Sequence, residues 1–300
     1  MLSFIMALVA GAVRLSTPFL FVSLGETITE KSGRINLGLE GILVFGALSG
    51  FGASYLSGSA LIGVMAAGIG GALLGAIHGW LCGRPGTSSI AVGIAMMVFG
   101  LGISFYLGKP LIQPKAPQLP DIDLGWWATS PAVRAALRIN LLFVLGLLMA
   151  PFLRWAFRST RYGLIVRMSG ENAQAARAAG YSVERVRLLA TMAGGALGGI
   201  GGSFLSLYYP GAWTEGLSSG QGLMAVALVI FARWDPMRCL WASLIFGAAG
   251  SLGVALQSIG ISQGFHLFNA APAMLTLIIM TASSSTSGNS GRPRDLTVFS

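Results

Sequence analysis

Four polar residues stand where the surrounding sequence is apolar: Arg14, Asn36, Glu40 and His78. An ionisable group inside an apolar run is costly to bury and usually faces a protein interior or a water-filled path. Each is therefore a candidate either for pairing with a neighbour or for lining a solute pathway. Glu40 with His78 offers a thin basis for a proton relay. Other chemistry is poorly provided for. No G-x-x-x-x-G-K-[ST] stretch occurs, so the chain carries no P-loop for nucleotide hydrolysis. The two histidines, His78 and His266, fall in no H-E-x-x-H pattern, and no Ser-His-acid set can be assembled. No metal, cofactor or catalytic residue is expected, and the chain is not expected to be an enzyme.

A second polar feature is the island TRYGLIVRMSGENAQAARAAG at 160–180. Gly163 and Gly170 bracket a short apolar piece. The run from Gly170 reads as a small helix. Glu171 and Asn172 suit its first turn, where carboxylates and capping amides are favourable. Ala175 and Ala176 supply helix propensity, and Gly180 can stop the helix. A short Ala-rich helix on a membrane surface can fit a groove on a soluble partner, whereas a plain linker has no need of such regular helical content.

The elements that position these residues follow from composition. The chain has 300 residues, of which 54% are hydrophobic and 10% charged. A soluble domain carries roughly 25% charged residues, so the chain is read as an all-α, polytopic membrane protein. About 20 apolar residues are needed per crossing. About nine spans (eight to ten) are expected, near 3–24, 37–56, 60–83, 89–108, 137–157, 188–208, 217–232, 239–257 and 266–283. The seventh is short enough to be re-entrant or broken. Arg14 suggests that the first divides into an interfacial helix and a separate span. Residues 1–24 lack a basic leader and cleavage site, so they are read as retained structure. A transmembrane domain over 1–283, with its large polar loop at about 158–187, precedes a small, polar, disordered tail at 284–300.

The net charge of +9 does not point to nucleic acid, because the basic residues form no separate soluble unit. Seven arginines lie from Arg154 to Arg187. If that loop is cytoplasmic, Lys31, Arg34, Arg84, Arg233 and Arg238 also fall inside, as the positive-inside rule requires. The N-terminus is then periplasmic and the C-terminus cytoplasmic. Residues 109–135 form the largest external loop, rich in proline and ending in Trp126 and Trp127. Cys82 and Cys239 imply no disulfide framework.

Small residues recur every fourth position in the third span, through Gly71, Gly75 and Gly79, and again in the sixth, through Gly195 and Gly199. Such faces let backbones approach closely in lipid. GALLGAIHG at 71–79 also echoes GALGGIGGS at 195–203 in opposite orientation, a candidate inverted repeat of the transporter kind.

Three stretches together carry a resemblance: 16–47 (STPFLFVSLGETITEKSGRINLGLEGILVFGA), 160–190 (TRYGLIVRMSGENAQAARAAGYSVERVRLLA) and 220–236 (GQGLMAVALVIFARWDP). The chain resembles ABC-importer permeases of the ribose and branched-chain amino acid superfamily. It is nearest the nucleoside and simple-sugar group that works with basic-membrane-protein-type binding lipoproteins. That resemblance implies a bacterial inner-membrane permease subunit forming the translocation pathway for nucleosides or related simple sugars. It implies a cytoplasmic ABC ATPase, a second permease (a heterodimer by the group's habit) and a periplasmic or lipid-anchored binding protein as partners, with membrane lipid around them. It marks Gly170, Glu171, Asn172, Ala175, Ala176 and Gly180 as the ATPase-coupling element. The family often has Pro-Tyr near the last span, where this chain has Pro272-Ala273. The alternatives are an ion-gradient-driven secondary transporter of a small polar solute and a non-transporting scaffold.

Overall fold

A hydrocarbon layer offers no partners for free backbone amides, so long apolar runs must satisfy them internally as helices. The computed structural model describes residues 2–260, 268, 270–284, 293 and 296. Its helices are α1 (Leu2–Lys31), α2 (Leu39–Ser57), α3 (Ala60–Leu81), α4 (Ser89–Gly108), α5 (Pro131–Ala136), α6 (Leu141–Ser159), α7 (Arg161–Glu171), α8 (Ala173–Ala178), α9 (Val183–Leu207), α10 (Gln221–Phe231), α11 (Pro236–Gln257) and α12 (Ala271–Ser284). The expected tail beyond 284 lies outside the described residues, except for Pro293 and Leu296.

Among the described residues, seven helices are long and apolar enough to cross a membrane: α1, α2, α3, α4, α6, α9 and α11. The expected count of nine is therefore not reached. The seventh expected span is the 11-residue α10, about 17 Å at 1.5 Å per residue and well short of a bilayer core of about 30 Å. Left-handed backbone at Gly216, Ser219 and Gly220 keeps the residues before it out of the helix. The ninth is α12, with 14 residues. Part of that expected span, 266–267 and 269, lies outside the described residues. The first span is not divided at Arg14, because α1 is one helix of 30 residues.

The all-α expectation needs one addition. In the long loop after α4, β1 (Asp121–Asp123) pairs antiparallel with β2 (Arg138–Asn140), Ile122 opposite Ile139. Asp123 accepts 2.9 Å from Arg134 Nε, and this bond holds the carboxyl below its usual range. Tyr208 donates its hydroxyl to Asp121 at 2.6 Å. Burial first, and that bond second, push the Tyr208 phenol up to about 12. Ser54 donates to the Pro117 carbonyl at 2.9 Å, and the Leu119 amide to the Leu207 carbonyl at 2.9 Å. The loop thus caps the same end of the bundle where α2 and α9 finish.

The core is built around α9, which packs against α1, α2 and α3. Its glycines divide among them. A Cβ at Gly194 or Gly201 would run into α1 at Gly25 or Phe21, at Gly198 or Gly202 into α2 at Ile42 or Leu43, and at Gly195 or Gly199 into α3 at Gly71 or Ala67. Backbone contact on three sides leaves no room for side chains, and dispersion then does what the hydrophobic effect does in water. The echoing stretches 71–79 and 195–203 meet only at one end, where Gly71 touches Gly195, because α3 and α9 are offset in register. The two helices run antiparallel, with Gly71 against Gly195, Gly75 against Thr191 and Gly79 against Leu188. On the opposite face of α3, Leu61, Met65, Ile69, Leu73 and Ile77 are exposed. Large apolar side chains outside and glycines inside are the arrangement expected of a helix facing lipid.

Candidate functional site

The polar island is two helices rather than one. The Thr160 hydroxyl caps α7, accepting the Gly163 amide at 3.1 Å. Gly163 lies against Ala156 and Phe157 of α6, and Gly170 lies against the Lys31 carbonyl and Gly33 at the end of α1. With these small residues buried and Tyr162 and Leu164 exposed, α7 is a strut folded back on the bundle. The apolar piece between Gly163 and Gly170 is thus helical too.

Asn172 has extended backbone (φ −155, ψ 92) and separates the two helices. Its side-chain oxygen accepts the Ala175 amide at 2.9 Å, the N-cap arrangement, worth about 1 kcal/mol. Glu171 is therefore the last residue of α7 and not part of the first turn of α8. Gly180, at φ +86, ends α8. Its amide donates to Arg177 at 2.9 Å, and that of Tyr181 to Ala176 at 3.0 Å. Ala176 is fully buried, while Glu171, Asn172, Gln174, Ala175, Arg177 and Gly180 are exposed. Of the six residues expected to couple, Asn172, Ala175, Ala176 and Gly180 thus lie on α8 or at its ends, while Gly170 and Glu171 close α7.

Arg187 holds that element to the body. It donates from Nε to the Ser32 carbonyl at 3.0 Å and from Nη2 to the Ser169 carbonyl at 2.8 Å. It joins the start of α9, the end of α7 and the turn after α1. In the sequence Arg187 is one of seven arginines between 154 and 187. Its place beside the apolar run of α9 was the signal that set it apart. Each hydrogen bond to a charged group is worth about 1.5–3 kcal/mol. In membranes, Arg187→Ala should therefore speed proteolytic cutting within 158–187 at least about tenfold, since 1.4 kcal/mol is one decade. Unchanged cutting rates would remove Arg187 from this role. The nearby Arg177–Glu184 bridge, at 2.7 Å, is half-exposed and contributes little.

The described residues thus form an apolar helical bundle with one short, exposed, capped helix, α8, held between α7 and α9. Residues 8–283 match the family described as the permease component of the branched-chain amino acid transport system. The chain belongs to that family. The permease is 31% identical to a putative glucose ABC transporter permease protein of Haloferax volcanii, over 87% of this chain and 81% of the relative. It is 28% identical to a nucleoside ABC transporter permease protein of Lactococcus lactis, over 91% and 90%. It is likewise 28% identical to a guanosine ABC transporter permease protein of Bacillus subtilis, over 89% and 88%.

The four intramembrane polar candidates of the permease do not converge on one site. The guanidinium of Arg14 lies 5.9 Å from the Tyr209 ring, at the end of the bundle that carries the β-hairpin. The Asn36 amide donates to Glu26 Oε1 at 2.8 Å, and its side chain accepts the Gly38 amide at 3.0 Å. Asn36 thus shapes the turn that leads into α2. His78 is buried, with Nε2 3.2 Å from the Ile35 carbonyl and 3.5 Å from Cys82 Sγ. Glu30 is buried and takes the Trp234 indole N–H. Glu40 engages a different set of groups around the start of α10. Glu40 and His78, the pair on which a relay would rest, share none of these partners. Ser218, Gly220 and Gly222 were not expected as partners of Glu40. The one available signal was that a buried carboxylate must find donors.

Proposed function

We propose that this permease lines the import path for a nucleoside or a related simple sugar, with α8 seated in a groove of a cytoplasmic ABC ATPase. The observation that carries the reading is α8 itself. It is short, capped at both ends, exposed over most of its surface, and tied through Arg187 to two membrane-embedded helices. A push on α8 is then passed to α1 and α9 instead of being absorbed by a slack loop. The solute class rests on the named cargo of the relatives, glucose and guanosine or other nucleosides. These share a hydroxyl-rich sugar ring.

In this reading the permease resides in the bacterial inner membrane, with the α7–α8 end and the C-terminus in the cytoplasm and the β-hairpin and N-terminus on the periplasmic side. A second, different permease completes the pathway, and a periplasmic or lipid-anchored binding protein delivers solute at the hairpin end.

Single cysteines at Gln174 and Trp126 test the orientation, because both positions are exposed while Cys82 and Cys239 are buried. In intact spheroplasts a membrane-impermeant maleimide should label Trp126→Cys, and should label Gln174→Cys only after the membrane is opened. Labelling of Gln174→Cys from outside would overturn the proposal.

A further inference from the structure

Glu40 lies deep inside the bundle, not at its rim. Leu39 packs on Gly198, near the middle of α9, and Gly41 packs on Met96 and Met97 of α4. That is about 12 Å along α4 from its start at Ser89, at 1.5 Å per residue. The chain after α9 reaches this depth without a helix. Trp213 lies against Gly108 at the hairpin end of α4, and by Gly222 the backbone touches Glu40. From there α10 runs to the opposite end, where the Trp234 indole reaches Glu30, and Asp235 sits 3.7 Å from Arg154 and 3.8 Å from Arg158. Residues 208–235 thus cross the bundle as an irregular segment of turns followed by a half-length helix, and the junction sits on Glu40.

The carboxylate accepts three hydrogen bonds at that junction: from the Ser218 hydroxyl at 2.5 Å, the Gly220 amide at 3.1 Å and the Gly222 amide at 2.7 Å. The last two are unpaired donors at the start of α10, where a negative charge is favoured. The fit is close. A Cβ on Gly222 would come within 2.6 Å of the Glu40 backbone. Ser218 is buried, while Ser219 is held in the left-handed region (φ +48) and is exposed, as are Thr214, Glu215 and Leu223. A turn in this conformation persists only when its surroundings over-determine it.

We propose that Glu40 is a positioning residue for transport. It holds the 214–222 turn at mid-depth, so that the exposed polar edge of that turn lines the solute path. Glu40 acts through the turn and does not itself touch solute. A carboxyl group suits the task because both of its oxygens can accept hydrogen bonds. A carboxamide of the same size sets an NH2 group against at least one of the three donors. This inference rests on the import reading above, and wild-type uptake driven by ATP is the control that tests that reading separately.

The test uses the assembled transporter with its ATPase and binding protein in proteoliposomes, measuring solute uptake, ATP hydrolysis and thermal stability. Glu40→Gln should keep ATP hydrolysis within about twofold of wild type while solute moved per ATP falls at least about tenfold. Glu40→Asp, which keeps the two acceptor oxygens, should recover part of that ratio, and Ser218→Ala should lower it less. If Glu40→Gln moves solute per ATP as wild type does, the proposal fails. It also fails if uptake, hydrolysis and stability fall together in both Glu40→Gln and Ser218→Ala, since that pattern marks a structural staple. Should Glu40→Gln not assemble, Ser218→Ala decides. A selective drop in solute moved per ATP supports the proposal, and an unchanged ratio overturns it.

Discussion

Replacing Gly180 with proline should leave the permease in the membrane and its partner ATPase active, while solute moved per ATP falls at least about tenfold. The reasoning is confined to backbone. Gly180 sits at φ +86, and nothing lies within 4 Å of where a Cβ would stand. Bulk at this position therefore meets no neighbour. Proline, however, holds φ near −65° and has no amide hydrogen, so the bond to the Arg177 carbonyl is lost and the αL turn cannot form. It also disfavours the near-helical backbone of Ala179 (φ −78, ψ 4) that closes α8. An incompatible backbone costs roughly 1–3 kcal/mol. That is enough to reorient a helix of 6 residues, because so short a helix has little stability of its own. Gly180→Ala meets only the left-handed penalty and should retain most of the coupling. Reconstituted transporter assayed for both uptake and ATP hydrolysis gives the answer. Uptake by Gly180→Pro at the wild-type ratio would mean that the shape of α8 does not matter.

Gly195→Leu should act at the other end of the scale and prevent a stable permease from forming. A Cβ at Gly195 would overlap the Gly71 carbonyl and lie 3.1 Å from the Gly75 Cα. Both obstacles are backbone of α3, so no rotamer change relieves them. Overpacking in a well-filled core costs about 1–3 kcal/mol per site. Here the whole α3–α9 seam must separate, which also strips the contacts of Gly199 with Ala67. The expected result is at least a tenfold loss of monodisperse protein after extraction in mild detergent. Ile69→Ala, on the exposed face of α3, serves as the control and should extract normally. A well-behaved Gly195→Leu would show that the seam is not close-packed.

Local chemistry made much of α8 legible. Asn172 and Gly180 mark the two ends of α8 because capping needs only one residue and its immediate neighbours. Glu171 went to the wrong helix for a related reason. Two helices abut at Asn172, and composition alone does not say which of two adjacent polar residues takes extended backbone. The undivided α1 has a different cause. Arg14 looked misplaced in an apolar run, but in a helix of about 45 Å it comes level with Tyr209 at the hairpin end and needs no break. The seventh expected span, short already in sequence, is cut back to α10 by the left-handed residues before Gln221.

Sequence alone determined that the chain lives in a membrane, since its few charges cannot cover a water-facing surface. It also determined which faces of α3 and α9 pack closely. These properties follow from composition and from periods of a few residues. Tertiary structure alone decided what the buried polar groups do. Glu40 meets Ser218, 178 positions away, and Arg187 meets Ser32, 155 positions away. A group buried away from water must find its donors or acceptors wherever the packed helices bring them, and no short-range pattern along the chain records which distant backbone that will be.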